Sequence, residues 1–294
     1  MTIAISLKIN DGLVLAADSA STVMSVLPGQ EVANFLNVYN NANKIFNLHK
    51  GLPIGAITWG GGSIGSASIE TIVKDLRYRF SGKKLGFEMW KLNKQTYTLE
   101  GVAESFRRFV YDELYKSASL SPDYKSAEIG FIVAGYSAAG DVAEEYSIVI
   151  KADGSCEGPS RIRPGSEVGV TWAGQPDALN RLLMGYSSNL PDILRGPLGV
   201  PPEHVAGILA LITQSSQAQI IVAPMPLQDA VDLAEFLVDT TIKFTRFTPG
   251  TPTVGGPIEI AAISKHEGFR WIRRKHYFSL DLNPSEKINV NLDL

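Results

Sequence analysis

Hydrophobic and polar positions alternate from the start of the chain. Ile3, Ile5, Leu7 and Ile9 interleave with Ala4, Ser6 and Lys8, the two-residue period of a half-buried strand. Asn10, Asp11 and Gly12 supply a tight turn, and Gly12-Leu-Val-Leu-Ala-Ala-Asp18 returns as a second strand. The arms are of similar length, so Thr2 and Asp18 at their outer ends are expected to be neighbours. Asn43-Lys44-Ile-Phe-Asn-Leu and Pro53 to Trp59 read as another strand pair around a Lys50-Gly51 turn. Helical spacing marks Ser66 to Phe80 and Thr98 to Ser117, with Thr98 as an N-cap. Strands recur at Glu128 to Gly135 and Glu144 to Lys151, helices at Asp177 onward and Gln228 to Phe244, and closing strands at Ile258 to Ser264 and Phe269 to Lys275. Two antiparallel sheets covered by helices satisfy this order.

The N-terminal residues carry candidate chemistry. Removal of Met1 places a hydroxyl and a free α-amine on one residue, Thr2. An unperturbed α-amine titrates near pH ~8 and can accept the hydroxyl proton directly or through a water. A lysine beside them lowers their proton affinity, and a carboxylate holds that lysine charged and aimed. Lys44 and Asp18 are the candidates for those two roles.

The order of these features resembles the β-subunits of the proteasome core and the related bacterial peptidase that works with a separate ATPase, all N-terminal-nucleophile hydrolases. The matching pieces are Thr2-Ile-Ala-Ile, Asp11 to Ser19, Asn43-Lys44-Ile-Phe and Ile54 to Gly62. Further on come Ile132 to Tyr136, Val170 to Gln175, the helix near Gln228 and Gly255-Gly256-Pro257-Ile-Glu-Ile. The resemblance spans most of the chain and is strongest in about the first 65 residues. It implies an α+β four-layer αββα sandwich, a single domain over 1–294, and insertions at about 81–97 and 186–226. It further implies Thr2 as nucleophile, Lys44 and Asp18 as its tuning pair, and a backbone amide near Ala56 as oxyanion donor. Ile54 and Thr58 would border the substrate pocket.

The activity so implied is a cofactor-free, threonine-type endopeptidase acting on peptides or unfolded proteins inside a homo-oligomeric ring, with an ATPase unfoldase as a possible partner. Three positions depart from the pattern of peptide-cleaving members. Ala173, Thr251 and Val254 stand where they carry serine, aspartate and serine, side chains that orient the α-amine and its water. Thr253 and Ser215 are candidate substitutes. The alternative reading is a catalytically impaired structural homologue. The immediate start of the first strand favours the catalytic type over the noncatalytic α-subunits, which carry an N-terminal extension.

Composition narrows the remaining choices. With 294 residues, 45% of them hydrophobic, the chain can bury a large core, and a net charge of −3 gives no reason to expect nucleic acid. The basic run Phe269 to Tyr277 reads as the exposed face of a terminal strand. A lone Cys156 excludes an internal disulfide and suits a reducing, cytoplasmic compartment, as does the lack of a basic region before the first apolar run. The uncharged stretch from Val205 to Gln228 is interrupted by Gln214 to Gln219, Pro224 and Pro226, so it predicts a short buried helix and no membrane span. His49, His204, His266 and His276 lack metal-ligand spacing. Gly60 to Gly65 matches the glycine pattern of a dinucleotide-binding turn and supports a third reading, nucleotide binding, but no parallel strand with a terminal acid follows it.

Overall fold

A computed structural model describes residues 2–25, 34–121 and 127–275; Met1 and the His276-Tyr277 end of the basic run lie outside them. The opening hairpin forms as expected. Strand β1 (Ile3–Ile9) pairs antiparallel with β2 (Gly12–Ala17), Ala4 opposite Ala17 and Ile9 opposite Gly12. The expected half-buried alternation is corrected, because all seven residues of β1 are buried. Ile3, Ile5, Leu7 and Ile9 pack against a long helix, while Ala4 joins an apolar cluster on the other face. The two polar side chains on that face find partners: Ser6 Oγ donates to Glu145 Oε1 at 2.6 Å and Lys8 Nζ to the Gly165 carbonyl at 2.8 Å. Glu145 is in turn bound by Arg163 Nη1 at 2.5 Å, and Arg163 Nη2 donates to Thr171 Oγ1 at 2.6 Å. Buried charge is tolerated here because each group is hydrogen-bonded, Glu145 and Arg163 as an ion pair and Lys8 to a carbonyl.

The next strands are β3 (Ser21–Ser25), β4 (Asn34–Tyr39), β5 (Ile45–Asn47) and β6 (Ile54–Gly60), followed by the short β7 (Ser63–Ile64) and β8 (Ala67–Ser68). After these come β9 (Ile129–Gly135), β10 (Glu144–Ile150), β11 (Cys156–Arg161), β12 (Gly169–Gly174), β13 (Glu259–Ser264) and β14 (Gly268–Arg273). One five-stranded sheet has the order β12-β1-β2-β13-β14 and the other β11-β10-β9-β6-β5; β3-β4 and β7-β8 form separate two-stranded ribbons. Every pairing is antiparallel.

Helix α1 (Ile69–Phe80) is capped by Ser68, whose side chain accepts from Thr71 N. Helix α2 (Leu99–Arg107), capped by Thr98 as expected, continues through a π-helical stretch, Arg108–Tyr115, into α3 (Lys116–Ala118). α4 (Asp177–Leu179) runs into π-helical Asn180–Met184, and α5 (Leu190–Arg195), α6 (Pro202–Ser216) and α7 (Leu227–Phe247) complete the set. α7 packs on β1, β2 and β13, and α2 on β9, β10 and β11.

The regular four-layer αββα sandwich is corrected to a mixed α+β fold of antiparallel sheets. The two ribbons lie outside the main sheets, and α5 packs chiefly on α6, which in turn packs on the 180–184 stretch. The physical reason is visible in α6. It is bounded by Pro201-Pro202 and is apolar along most of its length, yet only Val205 is buried. Among the described residues no helix is long and apolar enough to cross a membrane.

The glycine turn has a packing role. Gly60 has φ +82°, and a Cβ there would lie 2.0 Å from the Glu128 carbonyl oxygen. Its strand, β6, is flanked by antiparallel β5 and β9, so the parallel βαβ unit that a dinucleotide turn needs is absent among the described residues.

Candidate active site

Thr2 immediately precedes β1 and is 4% exposed. Its carbonyl accepts from Gln175 N at 2.7 Å, and β12 brings Gly174 against it so closely that a Cβ on Gly174, at φ +100°, would sit 1.9 Å from that oxygen. Only glycine lets the two backbones approach this way.

The β1-β2 register delivers Asp18 beside the start of β1. Asp18 N donates to the Ile3 carbonyl at 3.3 Å, and Ile3 N donates to Asp18 Oδ1 at 3.0 Å. The same Oδ1 accepts Lys44 Nζ at 2.6 Å, and Oδ2 accepts Ala20 N at 3.1 Å and Gly255 N at 3.0 Å. Four donors thus fix one carboxylate whose side chain is 0% exposed. Lys44 is held at its backbone as well, since its carbonyl accepts Thr58 N at 2.9 Å. Burial pushes the Lys44 ammonium below its ordinary pKa, and the Asp18 carboxylate opposes that shift. The hairpin and the residues around β5 and β6 therefore bring Thr2, Asp18 and Lys44 into one buried corner.

The other expected positions divide. Thr58 borders Lys44 through its amide, and its hydroxyl donates to the Gly130 carbonyl at 3.0 Å. Ile54, at the other end of β6, is buried against the helices with Ala56. Ala56 pairs with Phe46 on one side and Val133 on the other, inside the sheet ladder. Ala173 pairs with Ala4, two residues from Thr2, whereas Thr251 is exposed. Val254 packs in the apolar cluster with Ile3 and Ile5. Ser215 is exposed on α6, where its hydroxyl donates to the Leu211 carbonyl at 2.9 Å. Thr253 differs from Ser215: it is 1% exposed, and its Oγ1 has no hydrogen-bond partner among the described residues. An unmade hydrogen bond of this kind costs about 1–3 kcal/mol.

Three contributors escaped the sequence reading. Lys275 Nζ lies 3.1 Å from Glu259 Oε2 and donates to Ser19 Oγ and the Ala42 carbonyl, both at 2.6 Å. Ser19 Oγ donates in turn to the Pro257 carbonyl at 2.6 Å. Burial lowers the Lys275 pKa, with Glu259 opposing, and Lys275 in turn presses the Lys44 pKa down. The expectation that the whole basic run is a solvated face is corrected at Lys275, whose side chain is 7% exposed. Glu259 stands two residues after Pro257 in the glycine-proline motif, the one sequence signal that could have drawn attention to it. Burial raises the Cys156 thiol pKa, which leaves it poorly suited to act as a nucleophile. No group of histidine, cysteine, aspartate and glutamate residues able to hold a metal occurs among the described residues.

No family model matches the chain, and no curated protein matches it. Among solved structures, Anbu (ancestral beta-subunit) from Yersinia bercovieri is 12% identical, with 93% of this chain and 88% of that chain covered and a TM-score of 0.46. An Anbu mutant from Hyphomicrobium sp. strain MC1 is 15% identical, with 94% and 86% covered and a TM-score of 0.48. At these values the likeness carries no argument about activity. The resemblance to proteasome β-subunits and the related bacterial peptidase is corrected accordingly: the solved structures to which the chain is similar include Anbu proteins, and no family model places it in either expected family.

Proposed function

We propose that the chain, after loss of Met1, is a threonine-type hydrolase that cleaves peptide bonds through Thr2. The observation that carries this reading is the buried Lys44–Asp18 pair, whose Oδ1 also binds the amide of Ile3, the residue next to Thr2. Thr2 Oγ attacks the substrate carbonyl carbon while its proton passes to the α-amine. The tetrahedral intermediate then expels the substrate amine, which takes that proton, and leaves an ester on Oγ. Water, deprotonated by the α-amine, attacks the ester and restores Thr2. Lys44 favours the deprotonated amine and hydroxyl by its charge, and Asp18 aims Lys44. The buried, unpartnered Thr253 hydroxyl supplies a polar group near Gly255, whose amide binds Asp18, in place of the serine missing at Val254.

The same proposal takes 1–294 as one domain, a cytoplasmic setting and assembly into a homo-oligomeric ring with unfolded protein as substrate. Apolar side chains exposed on α5 to α7 and the intervening loop support assembly: Ile193, Leu198, Leu211, Phe244 and Phe247 are all open to solvent. Light scattering is expected to report a mass several times the 31.8 kDa protomer; a concentration-independent monomer removes the ring from the proposal.

An epoxyketone, which reacts with hydroxyl and α-amine together, tests the chemistry without demanding fast turnover. Mass spectrometry is expected to find Met1 absent and one adduct on the peptide that begins at Thr2. Thr253→Val should slow labelling by about tenfold, the effect of one lost hydrogen bond to the reacting amine or its water, while leaving stability unchanged or raised. Complete inertness of protein shown to lack Met1 would favour the impaired homologue, for which Ala173 and the apolar burial of Val254 are the specific support.

A further inference from the structure

Most lysines and arginines of this chain pair with a carboxylate. Among the described residues nine do not; Lys8, Arg108 and Arg246 stand elsewhere, and the other six, Lys50, Arg77, Lys83, Lys91, Lys94 and Arg274, all line three adjoining cavities. Their volumes are about 490, 410 and 210 Å³. The first two share His49, Ser81 and Lys94, and the last two share Lys50, Lys74 and Arg77, so the cavities form one groove along α1. The acids on α1 are already engaged: Glu70 with Lys74, and Asp75 with Lys84 and Arg79. Burial lowers the Arg77 pKa, and the neighbouring charge of Arg274 adds to the effect. His49, 7% exposed and lining two of the cavities, has an Nδ1 with no hydrogen-bond partner among the described residues.

A concentration of unpaired cations on a chain of net charge −3 is unfavourable in an empty groove and favourable around an anion. The chemistry of that anion follows from the side chains. Four of the six are lysines, which bind phosphate oxygens as point charges, and Arg77 adds a planar donor fork. A single carboxylate neutralises one such charge, whereas linked phosphates neutralise several within a space of small-ligand size. We propose that this groove binds a small ligand carrying two or more linked phosphates, with Lys50, Arg77 and Lys94 as its central contacts. Asn43 and Ile45 on either side of Lys44 border the smallest cavity, but Thr2, Asp18 and Lys44 line none of the three, so the proposal does not rest on the hydrolase reading.

Titration calorimetry with inorganic triphosphate at physiological ionic strength tests it on the full chain. Saturable binding is expected, weakened at least about tenfold in Lys50→Glu/Lys94→Glu, two exposed positions whose replacement should leave the circular dichroism spectrum unchanged. Thr2→Ala protein is expected to bind as tightly as the natural chain. Absence of saturable binding overturns the proposal, and so does equal affinity in the double variant. Tighter binding of a glutamate-rich peptide than of triphosphate also overturns it, and would make the groove a docking face for an acidic protein.

Discussion

Thr2→Ala is expected to reduce cleavage of a fluorogenic peptide by at least about 1,000-fold, because it removes the atom that forms the acyl bond and leaves nothing for the α-amine to activate. The variant should fold and assemble as the natural chain does, since the backbone anchors of Thr2 are kept: its carbonyl still bonds to Gln175 N, and Gly174 still packs against it. Thr2→Ser should retain measurable cleavage, as it keeps hydroxyl and amine on one residue. Equal activity in natural and Thr2→Ala protein would show that the hydrolysis arises elsewhere. Lys44→Ala is expected to lose activity too, but with a stability change that complicates its reading, for the reason that makes the next variant informative.

Asp18→Asn should destabilise the fold by about 3–5 kcal/mol, the usual consequence of stranding one member of a buried ion pair. Lys44 is 5% exposed, and its bond to Asp18 at 2.6 Å is the only ion pair it makes among the described residues. The neutral amide also turns an NH2 group toward donors that the carboxylate had accepted from Ile3, Ala20, Gly255 and Lys44. For a chain of this size the loss corresponds to a fall in melting temperature of roughly 10 °C. Combining Asp18→Asn with Lys44→Met, which removes the stranded charge at similar volume, should recover much of the stability and none of the cleavage. A melting temperature unchanged in Asp18→Asn would contradict the buried pair. Recovery of cleavage in the double variant would contradict the role given to Lys44.

Local pattern was enough for what depends on neighbours in sequence. The turn at Asn10-Asp11-Gly12 and the similar strand lengths set the β1-β2 register, and that register places Asp18 against Ile3. Thr98 capped α2 as its side chain and position dictated. Lys44 was a candidate through the Asn43-Lys44-Ile-Phe piece of the resemblance, since taken alone it reads as one more surface lysine, and its distance to Asp18 was beyond any periodicity argument.

Long-range packing decided the rest. A period of two specifies that one face of β1 is buried, and it cannot say whether a second sheet covers the other; the partners of Ser6 and Lys8 come from residues more than 100 positions away. Lys275 reads as one more charge in an exposed basic run, and becomes part of the buried corner only because β13 pairs with β2 and carries Glu259 to the same place. Ile54 was expected at the substrate pocket and Ala56 as oxyanion donor from their places along β6 alone, and the packing of β6 between β5 and β9 buries both side chains in the apolar cluster under the helices. The basic groove is assembled from residues before and along α1, the 91–94 loop and the end of β14, segments whose charges are unremarkable one at a time. Sequence determined the hairpin, its nucleophile candidate and the carboxylate beside it, since a turn and a strand period fix positions over a few residues. Only the tertiary structure decided which charges are buried, which are paired and which are left facing a cavity, because those properties depend on desolvation and on partners that the chain supplies from far along its length.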